Sequence, residues 1–429
     1  AKGRRTMHSM RHNTTFSRTA KLAVMAGAVM GAMVLTGCSG NGRVSAEARN
    51  AAAERMAGMK SGTEWDMARQ AFLSGDPEKA LDHIDRSIAL NDSVVRSHVL
   101  RGRITMELGN FEEAMASLGK AEILDPEDVD TQYFLGVAFE RIGEKESAME
   151  RYQRAAELDT ARAIYAVAAA EMLIDIGRID DAESYLSDRL DLYRHNAGLR
   201  QTLGHIAMMR DQPEQAAAWF TEARFLAPDE SGVQEDLARA ELAAGRFAEA
   251  EFNLSDLLSK KEFADRRDLK HMQARCLVEV DRPVEAREVL VSLTETDGGE
   301  KDLDAWIQLG HVSYQLRDMG RVRRAASRVI ALAPQRSEGY LLRALQQRGT
   351  GDLDGALSSL DLAIQRSESD PSPLILRGLI AQQADMPGLA RTSFEAAQQL
   401  DPSNETITRM IATLDAQYAE TFATVPDGN

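Results

Sequence analysis

The chain has 429 residues, of which 44% are hydrophobic but only 5% aromatic, and its net charge is −16. Residues 1–37 hold six Lys and Arg and no acid, which leaves 45 basic against 67 acidic residues for the remainder. A body that acidic repels phosphate backbones and excludes nucleic acid as the expected partner, while an apolar set dominated by Leu and Ala disfavours a strand-rich fold.

Residues 1–21 are basic. The chain does not open on Met, and Met7 or Met10 is the expected start of translation. From Leu22 to Leu35 run fourteen uncharged, mostly apolar residues, a signal-peptide length that is short for a bilayer span. The run ends in Leu35-Thr36-Gly37-Cys38. This order of basic stretch, apolar stretch and small residues before a cysteine resembles a bacterial lipoprotein precursor. The resemblance implies cleavage of 1–37 as a signal peptide and lipidation of Cys38. Each buried methylene contributes ~0.8 kcal/mol and one acyl chain binds marginally, so two or three chains make a durable anchor. The alternative is an ordinary cleaved signal that leaves Cys38 a free thiol. The expected location is the cell envelope, and Ser39 after the cysteine favours the outer membrane, facing the periplasm, over the inner one. Residues 38–60 read as a lipidated tether and lead-in helix, since Ala46 to Met59 is rich in helix formers.

From Ser61 a fixed period takes over. Small residues recur at Ala80, Ala114, Ala148, Ala182, Ala216 and Ala250, each 34 residues after the last, and the series continues at Ala286, Val322, Ala356 and Ala390. A period of that size means stacked helix–turn–helix units. Ten units start near 61, 95, 129, 163, 197, 231, 267, 303, 337 and 371 and end at 402. Pro77, Pro213, Pro283 and Pro387 all fall at position 17, the expected first turn of the second helix, where a missing N–H costs nothing. Position 15 is Gly75, Gly109, Gly143, Gly177, Gly245 or Gly351 in six units and Asp211, Asp281 or Asp385 in three, as a left-handed cap of the first helix requires.

The third unit, with Leu135-Gly136, Ala148, Tyr152 and Ala155, resembles the tetratricopeptide repeat family, and so does the fifth, with Leu203-Gly204, Ala216, Phe220 and Ala223. The resemblance implies an all-α, right-handed α-solenoid of about ten repeats. Units four and seven are degenerate, with Arg189 and Leu293 at a small-residue position; unit eight has Val322 and Ala326 where a small and an aromatic residue belong. Two-residue insertions near Ser259–Asp268 and Thr294–Leu303 mark the expected break in curvature or flexible joint. Residues 403–422 read as a capping helix striped by Ile407, Met410, Ile411, Leu414 and Tyr418, and 423–429 as a disordered tail.

No catalytic motif occurs, so no enzyme activity and no cofactor are expected. His271 and His311 could share one face, but without a carboxylate or thiolate at ligand spacing they do not make a metal site. Cys276 reads as an inert buried residue. In the family the groove is lined by first-helix positions 2, 5, 9, 12 and 13. Position 5 supplies Trp65, Tyr133 and His271; position 9 supplies Arg69, Arg103, His205, Arg239, Arg275 and His311; positions 12 and 13 supply Phe72, Met106, Arg141 and Tyr314. Guanidinium groups bind carboxylates bidentately, which points to an acidic peptide segment. Alternatively the arginines pair with groove acids such as Glu107, Glu140 and Glu279. The Lys–Asn–Asn clamp of chaperone-binding members is absent at these positions. The expected function is a lipid-anchored, non-catalytic scaffold that binds envelope proteins, with no nucleic-acid or small-molecule partner. The alternatives are a pilotin-like assembly factor for a pilus or secretion pore, and a component of exopolysaccharide synthesis or export.

Overall fold

The computed structural model describes residues 43–367 and 369–418. The signal-peptide segment, Cys38 and the tail after Tyr418 lie outside the described residues. The chain divides into two units, 1–60 and 61–429. In the first, residues 43–60 are helical and the side chains from Ala46 on are largely exposed.

The described residues hold α-helices, one short 3-10 turn and no strand. The helices are α1 (Arg43–Leu73), α2 (Pro77–Leu90), α3 (Val95–Glu107), α4 (Phe111–Leu124), α5 (Val129–Ile142), α6 (Lys145–Leu158) and α7 (Ala163–Asp175). There follow α8 (Ile179–Ser187), α9 (Ala197–Met209), α10 (Pro213–Leu226), α11 (Ser231–Ala243), α12 (Phe247–Ser259), α13 (Arg267–Glu279) and α14 (Pro283–Glu295). The last seven are α15 (Leu303–Gln315), α16 (Met319–Leu332), α17 (Glu338–Gly349), α18 (Leu353–Ile364), α19 (Ser372–Gln383), α20 (Pro387–Leu400) and α21 (Glu405–Gln417). Odd-numbered helices up to α19 are the first helices of their repeats, even-numbered ones the second, and α21 is the cap. The lead-in helix and the first helix of the first repeat are one element, α1.

The four period-matched prolines each open their second helix, and the turn before every second helix has a residue with positive φ. Nine of these turn residues are the expected glycines and aspartates; the tenth is Arg317, at φ 61°.

All ten ladder residues, from Ala80 to Ala390 and including Val322, are fully buried. They leave room for backbone approach, and neighbouring glycines take this further. A Cβ on Gly136 would stand 2.6 Å from the Tyr152 ring, and one on Gly204 2.6 Å from the Phe220 ring. Large residues on the second helix thus fill the space that small ones on the first leave open. Unit eight solves the same problem across a boundary. Ala326 cannot reach over Gly310, and Leu342 of the next repeat sits there instead, 2.6 Å from where a Cβ would be.

In unit four, α8 stops at Ser187 and turns follow it; Arg189 lies over the Tyr185 ring at 3.7 Å and donates to the Tyr185 carbonyl. The insertion after α14 is tied down. It contains a 3-10 turn, Gly299–Lys301, whose first carbonyl accepts from the Trp306 indole at 2.9 Å, and Arg267 donates to the Leu293 carbonyl and the Thr296 hydroxyl, both at 3.0 Å. These bonds tie the loop to α13 and α15 at one of the two places where a break in curvature or a flexible joint was expected. In α21, Ile407 and Leu414 are fully buried, with Met410, Ile411 and Tyr418 packed beside them.

Candidate functional site

First helices of successive repeats share open clefts. One, of about 490 Å³, is lined by Phe72 of α1, Arg103, Met106 and Glu107 of α3, Phe111 at the start of α4, and Phe134, Val137 and Arg141 of α5. The Arg103 guanidinium lies 4.6 Å from the Phe134 ring centre and 5.4 Å from that of Phe72. Stacking between two rings fixes its plane and leaves the N–H edge free for an anion. Among the described residues neither Arg103 nor Arg141 makes an ion pair, although Glu107 lines the same cleft. The sequence reading named Phe72, Arg103, Met106 and Arg141 here. It missed Phe134, at position 6 and off the groove positions of the repeat, Val137, which holds groove position 9 of the third unit but carries no charge or ring to mark it, and Phe111, a large aromatic at a position that holds proline in four other units. Trp65 lies outside the lining: its indole donates to the Arg96 carbonyl at 3.3 Å, with Arg96 4.5 Å and Arg69 5.3 Å from its ring centre.

Further along, the groove changes sign. Tyr133 packs against Phe134, Tyr152 and Tyr165 at centroid distances of 5.1, 5.6 and 5.2 Å. Glu140 accepts from the Tyr152 hydroxyl at 2.6 Å, so it is engaged there and pairs with no groove arginine among the described residues. Burial, with the nearby Glu140 and Asp175 carboxylates, holds the Glu171 carboxyl above its ordinary range. His205 shares a bond of 2.9 Å with Asp236 and lies 5.3 Å from the Phe220 ring.

A second cleft, of about 420 Å³, is lined by Leu242, His271, Met272, Arg275, Asp304, Ile307, Gln308, Arg336 and Glu338. His271 bonds the Asp302 carboxylate at 2.8 Å, and Arg267 bonds the same group. Burial alone would raise Asp302, but the Ala305 N–H, His271 and Arg267 outweigh it and bring its pKa below the usual value. His311 and Tyr314 do not line this cleft. His311 is open to solvent yet walled by protein, and that crowding lowers its pKa. Of the four position-9 arginines, Arg239 is neutralised by Glu235 at 2.7 Å and Asp268 at 3.2 Å; Arg69, Arg103 and Arg275 make no ion pair among the described residues. No group of three or more His, Cys, Asp or Glu residues placed to hold a metal ion occurs among the described residues. Cys276 is fully buried, and burial pushes its thiol up to about 11, which keeps it protonated and unreactive.

The family model described as TPR repeat matches residues 102–143, which hold the end of α3 and the whole of α4 and α5. Residues 102–143 thus match a tetratricopeptide repeat, and the period, the turn geometry and the buried ladder carry the same helix-pair fold along the chain. DnaJ homolog subfamily C member 7 of Homo sapiens is 29% identical over 174 residues, covering 38% of this chain and 35% of that protein, and the Mus musculus protein of the same name is 28% identical over 174 residues. The chain therefore spans about a third of the length of the curated relatives it matches. Among solved structures, the type IV pilus biogenesis factor PilW is 16% identical with a TM-score of 0.42, covering 48% of this chain and 95% of that one. A tetratricopeptide repeat protein from Parabacteroides merdae is 14% identical with a TM-score of 0.38, covering 76% of this chain and 99% of that one. Tetratricopeptide arrays bind peptides and proteins, and a protein-interaction scaffold is the coarse role of this one. Among the described residues no helix is long and apolar enough to cross a membrane.

Proposed function

We propose that this chain is a non-catalytic scaffold, fastened to a cell-envelope membrane by lipid on Cys38, that holds an envelope protein by a segment lying in its first-helix groove. The observation that carries the groove reading is the cleft between α1, α3 and α5. Two arginines without ion pairs among the described residues stand there among three phenylalanine rings, in a protein whose acids outnumber its bases. A segment with a carboxylate beside an apolar residue satisfies both features at once: the guanidinium edge takes the carboxylate and the rings take the apolar side chain. Support for the anchor is the sequence around Cys38.

The two halves of the reading have separate tests. A photocrosslinking residue at Val137 identifies the bound protein in the envelope, and a peptide from the crosslinked segment is then titrated against the purified chain. Arg141→Glu, at an exposed side chain, weakens that peptide by at least about tenfold, the scale of a lost charge-assisted contact. Unchanged affinity would sink the groove reading. For the anchor, Cys38→Ser moves the chain from the membrane fraction to the soluble one and abolishes incorporation of labelled fatty acid; retention in the membrane with no label would remove it.

A further inference from the structure

Helix α16 differs in charge from every other second helix. It holds Arg321, Arg323, Arg324 and Arg328 and no acid, whereas each of the other nine second helices holds at least one acid and none has more bases than acids. The helix is strongly two-faced. Val322, Ala325, Ala326 and Val329 are buried, and Arg323 and Arg324 are exposed.

These charges are weakly neutralised within the chain. Arg321 is paired with Asp318, 2.6 Å away, which also caps the helix. Arg324 lies 3.8 Å from Glu295 with both side chains exposed, and Arg328 donates to the Glu300 backbone carbonyl at 2.6 Å, which leaves its charge uncancelled. Arg323 makes no ion pair among the described residues. Just ahead of the helix stands Arg317, exposed and also without an ion pair among the described residues, at the left-handed turn position that every other repeat gives to Gly or Asp. Backbone strain of this kind gathers at sites of function.

The width of the strip selects its partner. The second helix before it, α14, exposes Glu288 and Glu295, and the one after it, α18, exposes Asp354 and Asp361. A broad anionic surface such as a bilayer would meet acids on either side, whereas one narrow acidic segment would meet only the arginines. We propose that the outer face of α16, through Arg317, Arg323 and Arg324, docks an acidic segment of a partner protein at a site separate from the groove. Arginine suits the task because its planar fork takes a carboxylate with two parallel hydrogen bonds.

The test uses the full chain and fluorescein-labelled octaglutamate, followed by anisotropy at low ionic strength. The wild type binds, binding falls steeply with added salt, and the double variant Arg323→Glu, Arg324→Glu loses at least about tenfold in affinity. Arg323→Gln with Arg324→Gln gives a smaller loss and serves where the reversed pair fails to fold, as read by circular dichroism. Lys120→Glu, at an exposed side chain of α4 that does not line the groove cleft, leaves octaglutamate binding intact. The proposal is overturned if octaglutamate does not bind, if the α16 variants bind as tightly as wild type, or if Lys120→Glu loses as much binding as they do. It is equally overturned if phosphatidylglycerol vesicles retain the wild type through the same arginines, since the strip would then read a lipid surface.

Discussion

In each repeat one residue between the two helices must hold a positive φ so that the chain can reverse, and the side chain at that point decides the strain. Glycine adopts this conformation without a Cβ clash, and Asp tolerates it through its short polar side chain. Arg317 has neither advantage, yet sits at φ 61°. Arg317→Gly therefore stabilises the eighth repeat by roughly 0.5–1 kcal/mol, the relief of left-handed strain less the extra freedom of glycine in the unfolded chain. Slower amide exchange across α15 and α16 is the expected reading; faster exchange would mean that Arg317 makes a contact worth more than the strain. Nothing in the sequence marked Arg317 as left-handed, because arginine carries no turn signature. The nine Gly and Asp residues did carry one, and the period alone locates the tenth. The groove arginines make the same point about charge. Arg103 and Arg239 occupy the same repeat position, but Arg239 meets Asp268 from the next repeat and Arg103 meets phenyl rings. That difference lies in neighbours some thirty residues away and is invisible to a position count.

Elements pair here through a small residue on one helix and a large one on the other. The pairing was legible wherever both members lie in one repeat, as with Gly136 and Tyr152. It was not legible in unit eight, where Leu342 crosses from the following repeat to cover Gly310 and makes a degenerate-looking unit pack normally. Gly136→Leu forces α5 off the Tyr152 ring, at a cost of about 1–3 kcal/mol or more. Amide exchange then speeds up through α5 and α6 and stays unchanged in α15 and α16; a uniform change, or none, would contradict local pairing. The start of α15 offers a pH test. Asp302 is a half-hidden carboxylate that caps Ala305 and bonds His271 and Arg267, and its pKa lies below the unfolded value. A depressed acid contributes stability that is present above the unfolded pKa of about 4 and lost as pH falls through the folded one. Acidification from about pH 5 toward pH 3 should thus loosen α15 in the wild type, and Asp302→Asn should flatten that dependence while lowering stability at neutral pH.

For the molecule as a whole, stability is a sum of neighbour contacts, because no repeat buries its apolar face alone. The cap follows from this. Ile407 and Leu414 of α21 are fully buried in a cluster with Ala390, Phe394 and Ala397 of α20. The cap was legible because its apolar stripe breaks the 34-residue pattern but keeps helical spacing. Removing residues 403–429 should therefore expose one apolar face and fray α19 and α20, raising their amide exchange and promoting self-association at the bared end. Repeats two and three, more than two hundred residues away, should exchange as before, since nothing they touch has changed. A loss of protection that spreads evenly along the array would mean that the repeats fold as one cooperative body. Intrinsic repeat stability would then count for less than the interfaces, and the local effects predicted for Gly136 and Arg317 would have to spread in the same way.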